Sequence, residues 1–486
     1  MDGTAIDYTM LYIPSFDILH IESFKMEQRI NEHAVMIFSG LIKDGVDEEQ
    51  LVMYTNVGYQ VEVYCSNDIK NPKQKKMFQG IVTEVKVRNV DTVKYLHVKA
   101  YSNSFQMDVI KNSVSYQETS RTYKQMLGEV VKRTNNASVI FSPEFDKPTG
   151  GFLIQYKETD WEYLKRMASH FHVGLVPDIL SGKPCAWAGY AFSQDSCKIH
   201  VKEYTTSKDI KAYQIEKKNG LSDAQEKNYL IYEVKSYNIL KVMDKVNFMN
   251  QTFYVKKAVY EMVESTIVGT YRICKKEHFK RKKIVNWELS GISLNGLVTE
   301  IIRDKIKVQL SIDRESNAKY LFPYSTMSAS PDGSGWYCMP RKGDEVRVYF
   351  PDEEDRNAFA VSSVSAYTPP AEGGTSGQGA KKDRMGDPNV RYLRTPHGMQ
   401  ITLNPDGIII NAADGQGVIA LDAEGNITIN AAKDLKVTAK NDINLVAENN
   451  IALFATEDLS FTGSQGNVTL KKDGNTVIGG QYIAEN

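Results

Sequence analysis

Residues 427–474 read ITINAAKD, LKVTAKND, INLVAENN, IALFATED, LSFTGSQG and NVTLKKDG when cut every eight residues. A fixed short period has to be interpreted before single motifs. The first and third places of the first five octads hold Ile427/Ile429, Leu435/Val437, Ile443/Leu445, Ile451/Leu453 and Leu459/Phe461. The fifth place is small: Ala431, Ala439, Ala447, Ala455, Gly463. Turn formers close the octads: Asn441-Asp442, Asn449-Asn450, Glu457-Asp458, Gln465-Gly466. Alternation of period two predicts a short strand with one buried face. The closing pair predicts a tight corner.

Two large residues and one small one cannot form a core by themselves. Stacking octads of one chain leaves the same face open. Three chains winding about a common axis close that face and leave no free edge. The outward places (Thr428, Lys436, Thr438, Asn444) are polar, as a solvated exterior requires. The alternative is a single-chain β-solenoid or a meander. A single-chain coil needs about 20 residues per turn to surround its own core, so eight favours an intertwined trimer. The ten large residues from Ile427 to Phe461 are its candidate core, and residues 401–426 read as a less regular lead-in.

Outward from the octads, the composition changes. Residues 367–389, YTPPAEGGTSGQGAKKDRMGDPN, hold Pro, Gly, Ser and Thr with few apolar side chains, and read as a linker. Tyr, Trp and Cys nearly vanish after Arg391, which predicts a different architecture on each side. A chain of 486 residues suggests about three domains. The formal charge of -1 gives no broad basic face for nucleic acid. The local basic run Lys275, Lys276, Lys280, Arg281, Lys282 and Lys283 reads as a solvated hairpin tip. The first residues lack a signal peptide's charged start and apolar core, and no apolar run is long enough to cross a bilayer. Five scattered cysteines (Cys65, Cys185, Cys197, Cys274, Cys338) read as reduced, buried side chains of a cytoplasmic product.

Residues 1–110 carry alternating strands, including VEVYC at 61–65 and FQGIVTEVKV at 78–87, and a comparable all-β stretch recurs over 229–295. Between them, 111–228 adds a minor α+β part. TYKQMLGEVVKR predicts a helix near 122–133 with Met126, Leu127, Val130 and Val131 inward. FLIQYKETDWEYLKRM predicts a strand and then a helix capped by Thr159 or Asp160, with Trp161, Leu164 and Ala168 on one face. Residues 296–366 hold about five strand signals and read as an OB-like barrel. The linker (367–390) and the octad region (391–486) complete the chain.

In this order the motifs resemble the VgrG spikes of type VI secretion and the hub-and-spike proteins of contractile phage tails and tailocins. The carriers are MFQGIVTEVKV, IQYKETDWEYLKRM, MPRKGDEVRVYFPDEEDRNAFAVSSV, RTPHGMQITL and the octads themselves. The resemblance implies a mainly β homotrimer with a tandem β-barrel hub, an OB-fold collar and a C-terminal intertwined trimeric β-helix. Six similar modules would then match three-fold spike to six-fold tube. It also implies partners: a tail tube protein and tube initiator, baseplate wedge proteins, a PAAR-like tip protein and a target cell envelope. Some relatives carry a lysozyme insertion or an effector extension. Neither is expected here, so the expected role is structural rather than enzymatic, in a tail-like particle assembled from the bacterial cytoplasm.

Rival chemistry reads poorly. His170 and His172 form an H-x-H whose alternation would put both on one side of a strand, but no third metal ligand is evident, and His397 stands alone. Glu158 and Asp160 are paired acids such as a glycosidase needs, yet they sit where a helix cap is expected. The Gly-rich run 373–379 lacks a phosphate loop's GKS/T, and no nucleophile elbow exists. No cofactor or metal is expected. A spike-borne cell-wall or glycan hydrolase, and a receptor-binding fibre, are the alternatives.

Overall fold

The computed structural model describes residues 5–43, 45–66, 73–218, 225–332, 334–364 and 385–480. Most of the linker, including the run 373–379, lies outside the described residues. The architecture is mainly β with a minor α+β part, and the chain divides into two compact units, Met1–Ala366 and Tyr367–Asn486.

The first unit is built on a 13-stranded sheet. Five strands, Ile18–Arg29, Val35–Ile42, Gln60–Cys65, Lys75–Val90 and Val93–Ser102, lie in the spatial order first, second, fifth, fourth, third. A second five, Val201–Lys208, Leu230–Ser236, Lys245–Phe248, Gln251–Val263 and Thr266–Cys274, repeat that order. The two modules join where Lys257 to Glu261 pair antiparallel with Arg29 to Lys25. Strict alternation makes the strands one-sided: along Val35–Ile42, Met36, Phe38 and Ile42 point inward. Phe24, Val63, Phe78 and Val98 of the first module share one core with Val234, Val255, Tyr271 and Ile273 of the second. At the tip between the last two strands, Glu264 and Ser265 both have positive φ (47° and 67°). That turn matches the right-handed twist of its strands.

Two capped helices pack together in the α+β part. Tyr123–Val131 starts at a capping box of Thr122 and Gln125, and Asp160–Ser169 at one of Thr159 and Glu162. Thr159, not Asp160, is therefore the cap. Trp161, Leu164 and Ala168 are buried against Met126, Leu127 and Val130, as their spacing predicts. The strands Ser293–Ile302, Lys305–Leu310, Leu321–Pro323, Glu345–Tyr349 and Phe359–Val364 form a five-stranded sheet. Its ends meet where Ser325 N–H donates to the Ala360 carbonyl at 2.8 Å.

Several local expectations are corrected. Strand Val201–Lys208 lies inside the segment read as α+β, yet it belongs to the large sheet. Residues 284–292, read as strand, contain a 3-10 turn at Trp287–Leu289 and a left-handed Gly291 (φ 79°). The basic run is not a hairpin tip but the connection after Cys274. Lys275 stacks on Phe253, Lys276 on Phe192 and Tyr254, and Arg281 N–H donates to the His172 carbonyl. Cys65 and Cys274 are buried, Cys185 and Cys197 are half-buried, and Cys338 is exposed.

In the second unit, Arg391–Arg394, Gln400–Asn404, Gly407–Ala412, Gly417–Asp422 and Ile427–Ala431 form an antiparallel meander in chain order. Leu459–Thr462, Gly466–Leu470 and Thr476–Gly480 form another. Residues 432–458 between them lie in no strand. Among the described residues, no helix is long and apolar enough to cross a membrane.

Candidate assembly interface

Directly opposed residues of antiparallel strands point to the same face. In the first meander, Leu393 opposes Ile401, Ile401 opposes Ile410, Ile410 opposes Ile419, and Ile419 opposes Ile429. A second row runs Leu403, Ile408, Leu421, Ile427. The other face carries Tyr392, Thr402, Ile409, Ala420 and Thr428. The terminal meander repeats the pattern: Phe461, Val468 and Ile478 in one row, Leu459 and Leu470 beside it. One face of each meander is thus a continuous apolar sheet surface.

That surface is uncovered by the described residues of its own unit. Among the described residues of this unit, no hydrophobic side chain is buried. The octad candidates Leu435, Val437, Ile443, Leu445, Ile451 and Leu453 are 52–68% exposed, and an open apolar hollow lies over Ile401, Ile410, Ile419 and Leu435. Ile427 and Ile429 sit in the fifth strand of the meander, and Leu459 and Phe461 in the first strand of the terminal one. The six between them lie in no strand and have no ladder partner among the described residues. Backbone without a ladder partner leaves its N–H and C=O groups to water, and an apolar face this large marks an interaction site.

Glu158, Asp160, His170 and His172 are committed to structural partners. The Arg166 guanidinium is 2% exposed. Its Nε and Nη2 donate to the two Glu158 oxygens at 2.8 Å each, and Nη1 to both Asp355 oxygens at 3.0 and 3.1 Å. Nη2 also donates to the Ile154 carbonyl, and Ile154 N–H to Asp355. Burial raises the Glu158 and Asp355 carboxyls, against the pull of Arg166. Asp355 belongs to the five-stranded barrel, and Phe152 and Ile154 of the α+β part pack into that barrel's core with Val308, Phe322 and Phe350. A second polar joint lies nearby. Asp313 accepts from Ser115 N–H at 2.7 Å and Oγ at 2.6 Å, and Gln117 Nε2 donates to the Val308 carbonyl at 3.0 Å. Sequence spacing gives no sign of these long-range joints.

Asp160 accepts from Arg133, Asn112 and Gln155, at 3.0, 3.1 and 3.0 Å. The paired acids therefore face different partners rather than one cleft. His170 and His172 do not share a strand: His170 caps the Asp160–Ser169 helix, and His172 lies in the following turn with φ 58°. His170 Nδ1 pairs with the Tyr123 hydroxyl at 3.0 Å and His172 Nδ1 with the Arg281 carbonyl at 2.9 Å. Among the described residues, no group of three or more His, Cys, Asp or Glu is placed to hold a metal. His397 lies exposed between the first two strands of the second unit.

No family model matches the chain, and no curated protein matches it. Solved structures do. A chain of the Francisella PdpA–VgrG complex matches with a TM-score of 0.55 at 9% identity, covering 88% of this chain and 88% of that one. The E. coli c3393 protein matches with a TM-score of 0.53 at 10% identity, covering 73% of this chain and 99% of that one. It is a component of the type VI secretion system with structural similarity to the bacteriophage T4 tail proteins gp27 and gp5. At these identities the likeness is one of fold, and at that level the resemblance to VgrG-like hubs holds.

Proposed function

We propose that this chain is a non-enzymatic homotrimeric hub and spike in the baseplate of a contractile injection system. The supporting observation is the apolar face of residues 391–480, which no described residue of its own unit buries. Three copies about one axis supply the missing cover: Leu435, Val437, Ile443, Leu445, Ile451 and Leu453 of each chain meet their counterparts. Each large aliphatic side chain taken out of water contributes about 1.5–3 kcal/mol, so the octads together outweigh the entropy of joining three chains.

The mechanism is mechanical. A closed, interdigitated β-prism with every strand paired resists bending. The doubled module of the first unit, taken three times, offers six similar surfaces to a tube ring. The Arg166–Asp355 and Asp313–Ser115 joints fix the five-stranded barrel to the hub, so force on the hub is passed to the barrel as a rigid body. The partners are a tube protein and tube initiator, baseplate wedge proteins and a PAAR-like tip protein, and the needle opens a target envelope. Unboiled full-length protein should run in SDS as a band above the chain mass, collapsing to one chain on boiling. A single chain-mass band in both samples, with trimers absent after cross-linking, contradicts the proposal.

A further inference from the structure

The octad alternation assigns the fourth place to the outward face. It is polar in the first, second and fifth octads (Asn430, Thr438, Thr462) but holds Val446 in the third and Phe454 in the fourth. Val446 is 93% exposed and Phe454 96%, against 52–68% for the inward places of the same octads and the one before. Ala452, the outward neighbour of Phe454 at the second place, adds to the patch. Alternation and this higher exposure put these side chains opposite the inward places, so trimer formation leaves them in water. In the trimer, on which this inference rests, they become a ring of three valines and three phenylalanines in two adjacent layers. Polar outward layers flank it, with Lys436, Thr438 and Asn444 before and Ser460 and Thr462 after.

We infer that this ring is a lipid-contact belt that seats the shaft at the acyl-chain boundary of a bilayer. Area argues for lipid over protein. One phenylalanine offers roughly 150–250 Å², and a partner against one side of a three-fold prism touches only one or two of them. Specific protein interfaces bury about 1,200–2,000 Å², several-fold more than such a contact supplies. A bilayer meets every side of the prism at once, as the belt does. Two octad layers are too few to span the roughly 30 Å hydrocarbon core, which places the belt at an interface. The nearby charges are of both signs (Lys433, Lys436 and Lys440 with Asp434, Asp442, Glu448, Glu457 and Asp458), so contact is apolar rather than electrostatic.

The test is flotation of the full-length chain with phosphatidylethanolamine vesicles containing a minor share of phosphatidylglycerol, in low and high salt. Solution mass is measured in parallel for wild type and for the double variant Val446→Thr, Phe454→Ser. The inference expects trimers in both, wild-type flotation that high salt does not remove, and vesicle binding at least about tenfold weaker in the variant. Trimeric wild type that stays off the vesicles overturns it. So does a variant that floats as well as wild type, or a belt-dependent association of trimers with one another without flotation. A monomeric wild type instead overturns the trimer itself, and the belt falls with it.

Discussion

Arg166 is the most constrained side chain of the first unit. Its two carboxylates come from positions 8 and 189 residues away, Glu158 and Asp355. Removing the guanidinium alone leaves both acids buried without their partner, a change that costs about 3–5 kcal/mol. Urea denaturation of Arg166→Met should show that loss; a change under about 1 kcal/mol contradicts the joint. His170 gives a pH prediction. Burial, then the charges of Arg166, Lys283 and Arg356, push its pKa from 6.5 down to about 3. Between those values the unfolded chain binds a proton that the folded chain refuses. Stability therefore falls as pH drops through that window, by up to about 1.4 kcal/mol per pH unit. The raised Glu158 and Asp355 carboxyls act in the opposite sense. The readout is thus the difference between wild type and His170→Gln, and the variant should lose less stability on acidification. Equal slopes contradict the assignment.

Among elements, the octads separate what a sequence can show from what it cannot. Their period predicts a strand in each octad; Ile427/Ile429 and Leu459/Phe461 lie on strands, whereas Leu435/Val437, Ile443/Leu445 and Ile451/Leu453 do not, and both capped helices follow from local spacing. The composition change near residue 367 coincides with the boundary between the two compact units. Arg166–Asp355 was illegible because its partners are remote in sequence. The H-x-H spacing carries no site because His170 caps the helix and His172 takes a left-handed turn, so the two rings face different partners. Val446 and Phe454 were in plain sight, but the octad rule attends to the inward places. The middle octads lie in no strand, and in the proposed trimer neighbouring chains would order them. Leu445→Asp should remove protection of residues 432–458 from limited proteolysis while the first unit stays resistant; unchanged cleavage contradicts this. Gly407 is a separate control on the meander. Its φ is 143°, and a Cβ there would lie 2.0 Å from the Leu421 carbonyl oxygen. Gly407→Ala should disturb the meander, seen as faster amide exchange across Gln400–Asn404 and Gly417–Asp422.

As a molecule, the chain pairs a self-sufficient half with one that is not. The first unit buries its own core, from Phe24 to Ala360. The second displays an apolar face down its described length. A chain with such a half aggregates or assembles, and the regular ladder of Leu393, Ile401, Ile410, Ile419 and Ile429 favours an ordered partner of matching pattern. A second and third copy of the same chain provide that pattern without further design. The doubled strand order of the first unit fits the same symmetry, since three chains then carry six modules. The most direct test is the solution mass of the full-length protein at low concentration, by light scattering or native mass spectrometry. The account predicts three times the 54.8 kDa chain mass. A stable species of one chain mass, with residues 391–480 folded, contradicts it.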